Sequence, residues 1–362
     1  MALVAAMHAA ELTARGFDVS LISDGTGPGP GPSRPGLERV HVSPHRFEWL
    51  RRYSHVPREL AFARAVARTL ADAPVQFVIF HGHVLTAFIG PELRRRGIPC
   101  AMVIHGDVTD RPPGTYDPLL TRLYRWATPR AYRAASLVVA VSPHMACLAA
   151  AGGAQAIRVV PNGVRFEEER VGATCIEREP GALTLGYVGR LSLEKGVDLL
   201  LEACALLIRD GVDLRLHVIG GGQDELALKE LARVRGLGAV VAFRPPVPRA
   251  VLPALYRSFD ALVIPSRSDS LPGVVLEALH CGTPVVGFGV GGIPFMVQHE
   301  VNGLLVAPES PSLLADALKR LAPDSDLLDR LRRAAKPSVS DFTWERAGQI
   351  LSEEISHRLT RT

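Results

Sequence analysis

Lysine is nearly missing from this 362-residue chain: among its 41 basic residues only Lys195, Lys229, Lys319 and Lys336 are not arginine. Cysteine is also sparse. Cys100, Cys147, Cys175, Cys204 and Cys281 are scattered without CxxC or metal-ligand spacing, which argues against a disulfide framework and makes a reducing cytoplasm the expected home. No uninterrupted apolar run approaches the roughly 20 residues of a membrane span, so a soluble or peripheral protein is expected. The length itself predicts two domains, each large enough to bury a core without staples.

Charge is divided unevenly. Residues 1–165 hold 19 arginines against 11 acids, net +8, and the remainder carries net −4. Arginines mix with aromatics in Arg46-Phe-Glu-Trp-Leu-Arg-Arg-Tyr53 and from Arg122-Leu-Tyr-Arg-Trp126 to Arg133. Such stretches fit either a solvated helix face with inward rings or a face lying on an anionic membrane. Nucleic acid is not an expected partner, because no nucleic-acid motif accompanies them.

Apolar runs alternate with helical patterns along the whole chain, as in doubly wound α/β domains. Strands are predicted at Asp18 to Ile22, Phe77 to Phe80, Ala101 to Ile104, Leu137 to Val141 and Ile157 to Val160, with a helical pattern at Leu60 to Leu70. A second set follows at Leu183 to Val188, Leu214 to Ile219, Val240 to Phe243, Ala261 to Ile264, Pro284 to Val286 and Gly303 to Val306. Gly25 to Gly36 is a Pro/Gly loop. The expected organisation is a first domain over 1–165, a linker over 166–181, a second domain over 182–340 and a terminal helix within 341–362.

The densest signal is Pro265 to Val286, PSRSDSLPGVVLEALHCGTPVV. A strand leads into a polar loop, a short helix stopped by Gly282, and another strand. Ser270 is the expected N-cap and Pro272 suits the first turn, leaving the N–H groups of Gly273, Val274 and Val275 free for an anion. Glu277 falls one turn further in, on the side of Gly273. By spacing alone, Asp269 and Glu277 fit an inert αβ unit as well as they fit a ligand site.

The residues around this pair resemble the donor-site motif of retaining GT-B glycosyltransferases of the glycogen-synthase-like group, family 4 type. That motif is an acid, seven residues and a glutamate, followed here by Glu277-Ala-Leu-His-Cys-Gly-Thr-Pro-Val-Val286. Tyr187-Val-Gly-Arg-Leu-Ser-Leu-Glu-Lys-Gly196, His217-Val-Ile-Gly-Gly-Gly222, Val160-Pro-Asn-Gly-Val164 and Gly289-Val-Gly-Gly-Ile-Pro294 fall in the family's order. The resemblance implies an α/β GT-B fold. Two Rossmann-like domains would face each other across a cleft, with the last helix, near Trp344 to His357, crossing back to the first.

The resemblance also implies roles. Arg190 and Lys195, on the loop with Gly189, are expected to hold the diphosphate of a UDP- or GDP-sugar in place of a metal ion. Glu277 is expected to bind ribose hydroxyls, and Asp269 with the amides of Gly273, Val274 and Val275 to hold the donor sugar. His105 matches the family's cleft histidine, and His81 and His83 are candidates for contact with the acceptor. No cofactor is expected. The acceptor is a glycan, a lipid-linked molecule or a small molecule, with the basic first domain favouring a lipid-linked or phosphorylated one. The expected setting is cytoplasmic, either free in solution or peripheral on the inner face of the membrane.

Several departures qualify the match. Asp269 is one methylene shorter than the usual Glu, Phe295 stands where many relatives carry Glu, Arg165 replaces an acid, and Phe243-Arg-Pro-Pro-Val247 replaces a Gly-containing loop. The chain opens on a helical pattern, Met1 to Gly16, where relatives place a strand and a glycine-rich loop. The expectation is a start codon placed late relative to the family, with a catalytically impaired sugar-nucleotide-binding subunit as the alternative. A sugar-nucleotide epimerase of the same fold is the other alternative, although that family lacks the Asp269 to Glu277 helix.

Overall fold

A computed structural model describes residues 2–23, 37–41, 56–71, 74–106, 118–165, 176–321 and 325–360. The Pro/Gly loop at 25–36, the Arg46 to Tyr53 stretch, Asp107 and most of the expected linker lie outside the described residues. The chain divides into two compact units, Met1–Gly163 with Thr343–Thr362, and Val164–Phe342. Among the described residues no helix is long and apolar enough to cross a membrane.

The first unit opens with α1 (Ala2–Thr13), β1 (Val19–Ser23) and β2 (Leu37–His41), and continues with α2 (Val56–Ala71), β3 (Val78–Phe80) and α3 (His83–Arg95). Then come β4 (Cys100–Ile104), α4 (Pro118–Ala134), β5 (Leu137–Ala140), α5 (Pro143–Ala151) and β6 (Ile157–Val159). β3, β4, β5 and β6 form one parallel sheet in that order, and β1 pairs with β2 in a separate parallel ribbon. Every residue of β4 is buried, as a central parallel strand covered on both faces requires. β2 was not predicted: Leu-Glu-Arg-Val-His has no continuous apolar run, and its pairing with β1 makes it a strand.

The second unit contains β7 (Leu183–Val188), α6 (Val197–Arg209), β8 (Leu214–Ile219), α7 (Glu225–Val234), β9 (Val241–Arg244), α8 (Leu252–Arg257) and β10 (Ala261–Ile264). It goes on through α9 (Gly273–His280), β11 (Val285–Phe288), α10 (Ile293–Met296), β12 (Gly303–Val306), α11 (Pro311–Lys319) and α12 (Asp326–Ala335). The last helix, α13 (Trp344–Leu359), belongs to the first unit: its Glu345 carbonyl accepts from Arg15, and the Trp344 ring meets His8 edge-on at 5.9 Å.

All six strands of the second unit are parallel, in the order β12-β11-β10-β7-β8-β9. This is the doubly wound order, with its reversal between β7 and β10. The crevice outside the carboxyl ends of those two strands is where such sheets bind ligands. The core beneath it is aliphatic and closed, with Leu183, Leu185, Leu200, Leu201, Leu216 and Leu318 fully buried.

Asp260 locks the two strands at the reversal. Its backbone N–H donates to the Thr184 carbonyl at 2.7 Å, and its carboxylate accepts from the Thr184 N–H at 2.7 Å and from Arg332 at 2.5 Å, with Arg178 3.2 Å away. A buried carboxylate satisfied by two guanidinium groups leaves them uncompensated when it is removed. Asp260→Ala is therefore expected to cost about 3 kcal/mol, read as a lowered urea midpoint for the second unit; an unchanged midpoint would mean that the lock contributes nothing.

Candidate active site

The loop leaving β7 and the loop leaving β10 meet at this reversal. The first carries Gly189, Arg190 and a short 3₁₀ turn, Leu193–Lys195, and is tied down by Tyr187, whose hydroxyl donates to the Arg190 carbonyl at 2.7 Å. Gly196 follows with φ +66, and a Cβ there would lie 1.9 Å from the Pro265 carbonyl oxygen, so only glycine lets α6 start against the β10 loop. The Arg267 N–H donates to the Glu194 carbonyl at 2.9 Å, and the Arg267 guanidinium grips Asp198 with two bonds of 2.9 and 2.6 Å. The two loops behave as one clamped unit.

Lys195 Nζ and Asp269 Oδ2 lie 2.5 Å apart across that clamp, with the side chains 20% and 13% exposed. The Asp269 backbone is held from a third loop, in which the Gly292 N–H donates to the Asp269 carbonyl at 2.8 Å and Gly291, at φ +55, leaves room for that carbonyl. The pair borders a pocket of about 120 Å³ that is also lined by Tyr187, Gly189, Ser266, Pro272, Gly273 and Val274. The structure thus brings together Gly189, Lys195, Asp269, Gly273 and Val274. Arg190 turns away from this lining: its guanidinium pairs with Glu194 at 2.6 Å and is 66% exposed.

The start of α9 differs from the sequence expectation in two respects. Pro272, not Ser270, is the N-cap residue, and it makes no side-chain cap bond. The Val275 N–H is not free, because the chain enters the helix through a tight turn in which it donates to the Pro272 carbonyl at 3.1 Å. Among the described residues the amides of Gly273 and Val274 have no backbone acceptor, and both residues line the pocket. Two donors at a helix start, backed by the helix dipole, form a wall suited to an oxyanion, beside which Lys195 is held by Asp269.

Glu277 lies one turn into α9 and is 8% exposed. Its two oxygens are both engaged: Oε1 accepts from Arg249 at 2.8 Å and Oε2 from the Tyr256 hydroxyl at 2.9 Å. Burial raises its pKa against the opposing pull of Arg249 and Tyr256. Sequence reasoning missed both partners. Tyr256 belongs to the apolar pattern of α8 and reads as a core residue, and Arg249 stands among many arginines in a loop.

In the first unit, His81 and His105 follow β3 and β4. His81 Nδ1 lies 2.9 Å from His105 Nε2, and their rings stack at 5.1 Å. Burial lowers the His105 pKa to about 3, and burial with the neighbouring His105 and His8 takes that of His81 well below its ordinary value. Both rings are neutral near pH 7, so one donates to the other and the tautomers are interlocked. His8, another residue missed from sequence, lies 5.5 Å from His81, with burial lowering its pKa to about 4. His83 departs from its expected place in a strand-end loop. It is the first residue of α3, 4% exposed, with its ring edge-on to Tyr124 and Tyr132 at 5.9 Å each, so packing accounts for it.

The raised Glu277 pKa has a definite consequence for stability. Folding takes up a proton, so stability is lost as pH rises from the ordinary 4.5 through the higher folded value. Glu277→Gln has no such proton. Its melting temperature relative to the unsubstituted chain is expected to climb as pH is raised from about 4 to about 8, and a difference independent of pH would show that burial does not strain this carboxylate.

Comparison with known proteins agrees with this architecture. Residues 176–337 match the family model described as glycosyl transferases group 1, and residues 1–163 match the glycosyl transferase 4-like domain. A D-inositol 3-phosphate glycosyltransferase of Saccharomonospora viridis is 30% identical over 95% of this chain and 85% of its own length. Its counterpart in Actinosynnema mirum is 32% identical over 95% and 88%. Among solved structures, sucrose-phosphate synthase from Thermosynechococcus elongatus superposes with a TM-score of 0.82 at 20% identity, covering 98% of this chain and 92% of that one. Anabaena Alr3699/HepE, solved in complex with UDP-glucose, has a TM-score of 0.70 at 20% identity, covering 88% and 86%. With two parallel-sheet α/β units and a match along nearly its whole length, the chain belongs to the GT-B glycosyltransferases of group 1, the family 4 type.

Proposed function

We propose that this chain transfers a sugar from a nucleoside diphosphate sugar to a hydroxyl of a small-molecule acceptor, with retention of anomeric configuration and without a metal ion. The observation that carries the proposal is the pocket at the β7/β10 reversal, where Lys195, Asp269 and the amides of Gly273 and Val274 converge. The second unit's charge placement supports the donor assignment. A diphosphate attracts Lys195 and the α9 amides, and Lys195 moving from Asp269 to phosphate leaves that carboxylate for the sugar's hydroxyls. Arg190, exposed on the same loop and paired with Glu194, adds a second cation by swinging from that acid toward the diphosphate, and Glu277 takes the ribose hydroxyls.

In this reaction the bond between the anomeric carbon and the diphosphate oxygen breaks as the acceptor oxygen bonds to the same face of that carbon. The acceptor's proton passes to the departing phosphate, so no enzyme nucleophile is used. Within the first unit His105, oriented by His81, is kept as a neutral imidazole that can hydrogen-bond a sugar hydroxyl. The name of the relatives, D-inositol 3-phosphate glycosyltransferase, supports a phosphorylated polyol as the acceptor class.

The test is a panel of labelled UDP- and GDP-sugars offered with inositol phosphates, simple glycans and lipid-linked acceptors. Transfer with retained configuration by NMR, undiminished in EDTA, is expected; nucleotide binding with neither transfer nor donor hydrolysis would instead identify a binding subunit. Glu277→Ala and Lys195→Ala are each expected to weaken nucleoside diphosphate binding by about tenfold or more. Unchanged affinity in calorimetry, with the fold intact by circular dichroism, would refute the assigned site.

A further inference from the structure

α4 carries a surface that the core does not need. Leu120, Ala127, Ala131 and Tyr132 are buried, which accounts for the docking of the helix. On the opposite side Leu119, Arg122, Trp126, Arg130 and Arg133 recur at spacings of three and four residues, all exposed, with Arg125 beside them. Leu119 is 60% and Trp126 38% exposed. Phe88 of α3, 44% exposed, meets the Trp126 ring at 5.1 Å, so the apolar part continues from one helix to the next. The Arg130 guanidinium lies 4.4 Å from the Trp126 ring centre, and Arg94 donates to the Arg133 carbonyl at 3.0 Å. Across both helices the exposed arginines Arg94, Arg95, Arg122, Arg125, Arg130 and Arg133 face a single acid, Glu92, which pairs with Arg95 at 2.6 Å.

We infer that this α3–α4 face of the first unit docks on an anionic lipid bilayer. A face that only had to be solvated has no use for the Phe88–Trp126 ring pair in water, with Leu119 exposed two turns earlier on the same side of α4. A bilayer surface satisfies both halves of the pattern. The indole and phenyl rings sit at the headgroup level, the arginine stems lie along apolar surface, and their guanidinium groups meet lipid phosphates. Each arginine near an anionic leaflet adds attraction that falls off within a Debye length. The surface is separate from every residue assigned to the donor pocket, so it stands or falls without that assignment.

Co-sedimentation of the full chain with phosphatidylcholine vesicles, with and without phosphatidylglycerol, tests it. Binding only to the anionic vesicles, weakened by salt, is expected, together with a blue shift of tryptophan emission that disappears in Trp126→Ser. The combined variant Arg122→Glu, Arg125→Glu, Arg130→Glu is expected to bind on the order of a hundredfold more weakly, while transfer between soluble substrates continues at the unsubstituted rate. Arg233→Glu, on the exposed side of α7 in the second unit, is to be set against Arg122→Glu alone, which carries the same change of net charge, and is expected to leave binding nearly unchanged. Equal binding to neutral vesicles, no binding, or a loss of binding in Arg233→Glu as large as in Arg122→Glu would each overturn the inference. So would concentration-dependent dimerisation, or binding of RNA in preference to vesicles, if the triple variant abolished it.

Discussion

The Lys195–Asp269 ion pair sits where the strand order of the second unit reverses, and the local chain is built around holding it. Gly196 and Arg267 fasten the lysine's loop to the loop after β10, and Gly291 and Gly292 hold the Asp269 backbone from a third direction. Two opposite charges kept about four-fifths out of water attract strongly, yet each has lost hydration, so the pair is poised rather than inert. An anion that takes the lysine is compensated at once by the amides beginning α9. Rigidity around the pair and exchangeability within it suit the diphosphate proposed for this pocket, which would find its cation already in position.

Glu277 shows the opposite balance. Arg249 and Tyr256 orient it closely, but burial still disfavours its charge, and a neutral amide of the same shape would fit its surroundings with less strain. A carboxylate kept at such a position is consistent with a binding role, since functional sites commonly hold groups that lower stability. The paired histidines of the first unit follow a similar logic. Deep burial removes their charge and leaves a hydrogen-bonded pair whose proton positions are coupled.

Much of this was legible in the residues. Parallel strands buried on both faces are continuous apolar runs, so β4, β5, β7 and β10 could be placed within a residue or two. The motif from Asp269 to Val286 pointed to the family that the comparisons then showed. β2 escaped because its pattern is not that of a covered strand. Ser270 was a reasonable cap by residue type, but the entry angle of the chain made Pro272 the cap, and that same tight turn consumed the Val275 amide. His83 looked like another strand-end histidine until α3 was seen to begin on it.

Local sequence by itself determined every strand but β2, where α9 begins to within a few residues, and the basic character of the first unit. It could do so because apolar periodicity, Gly and Pro punctuation and charge are local properties. Only the tertiary structure decided which charges meet. Lys195 and Asp269 are 74 positions apart, Tyr256 and Glu277 are 21, and His81 and His105 are 24. Their partnerships follow from strand order and helix packing, which no short window of residues encodes.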